Sequence, residues 1–179
     1  MTLENRCLDV FPAWLRSLGD DARALSAVLE NPSLSEAARR RVAGVLTYLF
    51  KSLDLVPDGL QDLGFVDDAF IFRVGAARLS ASDHAADPSG TLARLGADAG
   101  LIGEFLGDLN ERLQRYVVGL ESSSARGRSV SDVVGDESKR AELAREVRQW
   151  ADSYEAPSFA RDEKNLVKLR SFLSAKLPA

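Results

Sequence analysis

Tyr48-Leu49-Phe50-Lys51-Ser52-Leu53-Asp54-Leu55-Val56-Pro57-Asp58-Gly59-Leu60-Gln61-Asp62-Leu63-Gly64-Phe65-Val66-Asp67-Asp68 lies between two segments of helical periodicity. Before it, Ala38, Val42, Val45, Leu46, Leu49 and Leu53 recur at steps of three and four, the apolar stripe of an amphipathic helix. Ser33 and Glu36 have capping-box spacing at the start of that helix. After it, a second helix is predicted from about Asp68 to Ala81. A turn rich in Asp, Pro and Gly between two such stripes specifies a helical hairpin.

The flanking sequence is helical as well. Leu3 to Glu30 predicts one or two shorter helices, interrupted near Pro12 or Gly19. Thr91 to Leu120 carries the longest apolar face, although Gly96, Gly100, Gly103 and Gly107 each cost about 1 kcal/mol relative to Ala. Close packing against another helix of the chain is the first explanation for these glycines; a kink or a dimer seam are the others. Residues 122–131 are rich in Ser, Arg and Gly and predict a linker between a helical core (1–121) and a C-terminal extension (132–179). Two further helices are expected at about Asp136 to Tyr154 and Phe159 to Lys176. No segment sustains period-two alternation, so the predicted fold is all-α, with about six or seven helices around the hairpin.

Asp54, Asp58, Asp62, Asp67 and Asp68 crowd the turn, with no Lys or Arg between Lys51 and Arg73. Such a cluster needs water, helix caps, a cation or a basic partner to offset repulsion. Asp54 and Asp67 fit as N-caps, with Gly64 a left-handed residue between the helices they would start. Val66 and Ile71 would then form a hydrophobic staple. Two or three carboxylates from adjacent helix starts could also hold a hard divalent cation, Mg²⁺ or Ca²⁺. An EF-hand is excluded, because the alternating acidic pattern and its terminal Glu are missing.

In Tyr48, Asp54, Leu55, Pro57, Asp58, Leu63, Gly64, Asp67 and Asp68 the sequence resembles the YkvA-like domain of unknown function (number 1232). The resemblance extends over about Ala38 to Leu79, and it implies a helical fold and a suspect acidic surface but no reaction. Gln61 stands where relatives usually have a second proline, and amphipathic rather than strongly hydrophobic segments follow.

Composition narrows the function by exclusion. Cys7 and His84 are the only residues of their types, which removes an intramolecular disulfide, cysteine clusters and any site needing two imidazoles. Cys7 sits among apolar residues as a small core residue, and His84 in a polar, solvated loop. Phosphate-binding glycine loops and a serine-hydrolase elbow are missing. A net charge of -4 argues against nucleic-acid binding. Met1 to Arg16 mixes charges among its apolar residues, giving no secretion signal, so a cytoplasmic location is expected.

Arg39, Arg40 and Arg41 fan around their helix as a solvated face. Arg161, Lys164, Lys168, Arg170 and Lys176 decorate the last helix, whose other side carries Leu166, Leu169, Phe172, Leu173 and Leu177. That helix is expected to lid the core, though a basic amphipathic helix can also dock a membrane surface or a partner. The function expected from these features is a non-catalytic regulatory or adaptor role, with no catalytic residues and no required cofactor. A protein partner would be bound by the acidic turn, with Leu60 and Phe65 as its apolar centre, or by the last helix. The alternatives are a metal-dependent enzyme acting on phosphate through Asp54, Asp58, Asp67 and Asp68, and peripheral membrane attachment.

Overall fold

The first helix, α1 (Leu3–Leu29), runs unbroken through Pro12 and Gly19 in the computed structural model, which describes residues 1–179. The interruption expected there does not occur, and the reason is long-range burial. Cys7, Leu8, Phe11, Trp14, Leu15, Leu18, Ala22, Leu25 and Leu29 form one buried stripe along the helix. Each large side chain contributes about 1.5–3 kcal/mol on burial. Together they outweigh the ~3 kcal/mol of an internal proline and ~1 kcal/mol of a glycine.

Helix α2 (Glu36–Tyr48) is capped by Ser35, whose side chain accepts from the Ala38 amide. The capping box expected of Ser33 and Glu36 is replaced by an Asx turn, in which the Ser33 amide donates to Asn31 Oδ1. Helix α3 (Val66–Ala77) is buried at every position from Val66 to Ala76, so it is the central helix of the molecule. Gly75 permits its contact with α2: a Cβ there would lie 2.4 Å from Val45 Cγ1. Arg73, on the same helix, is neutralised by Asp21 (3.2 Å) and Asp98 (3.3 Å) and lies over the Trp14 ring.

The segment expected as one long helix over Thr91–Leu120 is divided. After the short α4 (Ala81–Ala85) come α5 (Thr91–Ala97), α6 (Ala99–Leu106) and α7 (Asn110–Gly119). Three-ten turns follow α6 at Gly107–Leu109 and α7 at Leu120–Ser122. Gly96 packs on α3, where a Cβ would meet the Ala77 backbone at 3.2 Å. Gly107 breaks the helix by adopting φ +57, a left-handed value. Packing and kinking therefore both operate, at different glycines.

Residues 122–131, expected as a linker, form a small antiparallel hairpin, β1 (Ser124–Ala125) with β2 (Arg128–Ser129). Arg126 and Gly127 supply the positive φ values its two-residue turn requires. Arg128 is buried between Glu146 (2.6 Å) and Glu142 (3.4 Å), which fastens the hairpin to the following helices. These are α8 (Val130–Gly135), α9 (Glu137–Ser153) and α10 (Glu163–Lys176). Helix α9 lies along α1, α8 against α2, and α10 also against α1. Leu166, Leu169, Leu173 and Leu177 point into a single core of 45 residues that starts at Cys7. The last helix is a lid on this core. The architecture is all-α apart from the four-residue hairpin.

Two smaller corrections concern polar side chains. The three consecutive arginines of α2 are ties rather than a solvated face. Arg39 donates to the carbonyls of Leu29 and Asn31, Arg40 to Ser131 Oγ, and Arg41 to Glu121 and the Arg78 carbonyl. His84 is half-buried, with Nε2 2.9 Å from the Ala76 carbonyl.

Candidate metal centre

The segment from Leu49 to Phe65 crosses from the end of α2 to the start of α3 without forming a helix. Asp54 therefore caps nothing, and the short helix expected after it is a series of turns. What holds the crossing in place is Tyr48, fully buried at the end of α2. Its hydroxyl accepts from the Leu55 amide (2.7 Å) and donates to Asp67 Oδ2 (2.5 Å). The same carboxylate oxygen accepts from the Val56 amide at 3.1 Å. Leu55 and Val56, anchored in this way, are buried in the core.

Asp67 is not the N-cap of α3. The cap position is Phe65, in a left-handed conformation (φ 66) with no side-chain cap bond, so the staple expected from Val66 and Ile71 is not formed. Gly64 has an ordinary φ. Its requirement is spatial, because a Cβ would lie 2.1 Å from the Asp58 carbonyl oxygen. Asp62 also takes a left-handed φ of 64. Left-handed backbone costs about 1–2 kcal/mol at such residues, and tertiary contacts offset it. Asp62 Oδ1 accepts from Ser158 Oγ (3.2 Å) and the Ala160 amide (3.1 Å). The Phe65 ring lies edge-on to Trp150 and Tyr154, at 5.9 and 5.3 Å.

Of the five aspartates, the fold brings three together. Asp58, Asp67 and Asp68 each present a carboxylate oxygen, and the three atoms lie within 4.8 Å of one another. Asp67 and Asp68 are 0% and 2% exposed, whereas Asp58 is exposed and closes the cluster on its solvent side. Asp67 Oδ1 and Asp68 Oδ2 are buried without any hydrogen-bond partner. No ion pair reaches any of the three; the buried arginine of α3 is engaged by Asp21 and Asp98 instead. Asp54 is half-buried beside Asp58, while Asp62 is held away by the loop before α10. Leu60 and Phe65 are half-buried against the core.

The electrostatic consequence follows from burial without a countercharge. Burial pushes the Asp67 carboxyl up to about 6, opposed by the Tyr48 and Val56 donors. Burial, then the neighbouring Asp67, Asp58 and Asp54, raises Asp68 well above the usual carboxylate range. Asp54 is pushed up to about 7 by burial and by Asp58. Two adjacent carboxylates in such a site must share a proton or a cation at neutral pH. Oxygen ligands at about 2.0–2.6 Å from one ion sit roughly 3–5 Å from each other, which matches the observed spread.

Asp67 thus has two distinct ends. Oδ2 is taken up by the fold, and Oδ1 is buried without a hydrogen-bond partner. The sequence singled out these aspartates by their crowding. It gave no sign of the division within Asp67, nor of the Tyr48 hydroxyl that enforces it. Cys7, by contrast, is what its apolar context predicts: fully buried, with burial pushing its thiol up to about 11.

Residues 38–73 match the family model described as Protein of unknown function (DUF1232). The match spans α2, the crossing and the first turns of α3, and it contains Tyr48 and all five aspartates. No curated protein and no solved structure matches the chain.

Proposed function

We propose that this chain is a divalent-cation-binding protein, with Asp58, Asp67 and Asp68 as the ligands of one Mg²⁺ or Ca²⁺. Two observations carry the reading together: one carboxylate oxygen each of Asp58, Asp67 and Asp68 lies within 4.8 Å of the other two, and Asp67 Oδ1 and Asp68 Oδ2 are buried without a hydrogen-bond partner. Burying a carboxylate without a partner costs several kcal/mol, and a cation is the partner whose ligand geometry the three oxygens fit. Three protein oxygens leave coordination positions for water or a ligand on the solvent side. The cation would therefore act on something that reaches it from solution, as well as stiffening the crossing.

A protein-docking patch on the acidic turn has less support. Phe65 is already covered by Trp150 and Tyr154, Asp62 accepts from Ser158 Oγ and the Ala160 amide, and two of the five acids are buried. The test is thermal melting of chelator-treated protein against increasing Mg²⁺ or Ca²⁺. Saturable stabilisation of about 2.7 kcal/mol is expected at a hundredfold excess over the dissociation constant. Asp58→Asn and Asp68→Asn should each abolish the response, whereas Asp62→Asn should retain it. An identical response in all three variants would overturn the assignment.

A further inference from the structure

Beyond the cation itself, the surroundings of Asp58 bear on what the centre would act upon. Asp54 and Asp58 line an open cleft of about 600 Å³ together with Lys51, Ser52, Tyr116 and Lys176. That size is within the range of small-ligand sites. Three separate elements build it: the crossing, α7 and the end of α10. An adjoining cleft of about 380 Å³ shares Lys51 and Tyr116 and adds Arg115.

The positive groups here are free. Lys51, Arg115 and Lys176 form no ion pair, although the chain makes fourteen others. No donor or acceptor engages the Tyr116 hydroxyl; burial and the nearby aspartates are all that act on it. Arg112 differs, since it is fastened to the carbonyls of Ser174, Leu177 and Pro178. These bonds also hold the C-terminal segment, and so the end of α10 that carries Lys176, against α7.

We propose that this cleft binds a phosphomonoester, with the phosphate bridging a cation at Asp58–Asp67–Asp68 to the Lys51 and Lys176 ammonium groups. The proposal rests on the cation reading above. Mg²⁺ is commonly held by one or two carboxylates plus ligand phosphates, and a phosphate dianion is satisfied by several charged donors at once. Asp54 and Asp58 in the same cleft repel a dianion when no cation is present. Binding is therefore conditional on the metal, and by linkage the phosphate tightens the metal equally.

Phenyl phosphate is a suitable probe, because it carries one phosphate and chelates Mg²⁺ weakly. Calorimetric titration of the full chain should show phenyl phosphate binding with Mg²⁺ present and at least about tenfold weaker binding in chelator. Lys51→Ala with Lys176→Ala should leave the Mg²⁺ response intact and weaken phenyl phosphate by about tenfold or more. Circular dichroism would check that this variant folds, and the corresponding double arginine variant should recover binding. Equal affinity with and without Mg²⁺, equal affinity in the double alanine variant, or benzoate binding as tightly as phenyl phosphate would each overturn the proposal. A normal Mg²⁺ response with no phosphate binding refutes this proposal alone; no Mg²⁺ response refutes the cation centre and this proposal together. Sedimentation with phosphatidic acid vesicles distinguishes the source. Mg²⁺-dependent co-sedimentation lost in the double alanine variant identifies a lipid phosphate, and phenyl phosphate binding without co-sedimentation identifies a soluble one.

Discussion

Tyr48→Phe removes one oxygen atom and tests how the candidate centre is attached to the core. That oxygen accepts from the Leu55 amide and donates to Asp67 Oδ2, and both bonds are buried. Without it the Leu55 N–H has no acceptor, at a cost of about 1–3 kcal/mol, and a bond to a charged group worth about 1.5–3 kcal/mol is lost. Phenylalanine recovers part of this, because no hydroxyl has to be desolvated. A net loss of about 3 kcal/mol is expected, which lowers Tm by roughly 6–12 °C in a domain of this size. Urea unfolding followed by circular dichroism measures it, and hydrogen exchange should accelerate first at the Leu55 and Val56 amides. Because the hydroxyl contacts Oδ2 and not Oδ1, the stabilisation by Mg²⁺ should survive in the variant. A loss below about 1 kcal/mol would refute the clamp, and a lost cation response would refute the division of labour within Asp67.

Three other perturbations have definite signs. Burial and the neighbouring acids raise Asp68, and burial raises Asp67 to about 6, so their contribution to folding is fully present below about pH 4 and declines as pH rises through the folded values. In chelator, Asp68→Asn should therefore gain stability relative to wild type as pH rises above about 4; melts across pH check this, and a constant difference would contradict it. Gly64→Ala forces a Cβ to 2.1 Å from the Asp58 carbonyl oxygen. It should cost about 1–3 kcal/mol or more and weaken Mg²⁺ by displacing Asp58, both measurable in one melting series. Arg73→Met leaves Asp21 buried with only Arg94 (2.9 Å) and the Ser17 hydroxyl (3.0 Å) as partners, so about 3 kcal/mol should be lost in urea unfolding. Adding Asp21→Asn should restore part of that loss.

The helices were legible where burial is periodic. α2, α3 and the apolar side of α10 follow directly from apolar spacing, and the hairpin follows from the turn between the first two. Local rules failed where a distant contact outweighed them. Pro12 and Gly19 mark a break by propensity, yet α9 and α10 cover α1 along its length. The 122–131 segment has the composition of a linker, but Arg128 is drawn between Glu142 and Glu146, two turns of a helix not yet begun at that point in the chain. Within the site, crowding exposed the aspartates but could not assign their partners. Asp54 and Asp67 have the same chemistry and similar neighbours in sequence; only the tertiary position of the Tyr48 hydroxyl separates a half-exposed acid from a buried one. Nothing in the local sequence ties Tyr116 or Lys176 to the cleft, since they reach it from α7 and α10.

The most direct measurement is calorimetric titration of Mg²⁺ and of Ca²⁺ into chelator-treated wild type, Asp58→Asn and Asp68→Asn. One cation per chain is predicted for the wild type, accompanied by proton release as the buried carboxyl pair ionises, with both the heat and the proton release lost in either variant. Neither cation binding to a folded wild type, or both variants binding as the wild type does, would contradict a carboxylate metal centre at Asp58, Asp67 and Asp68.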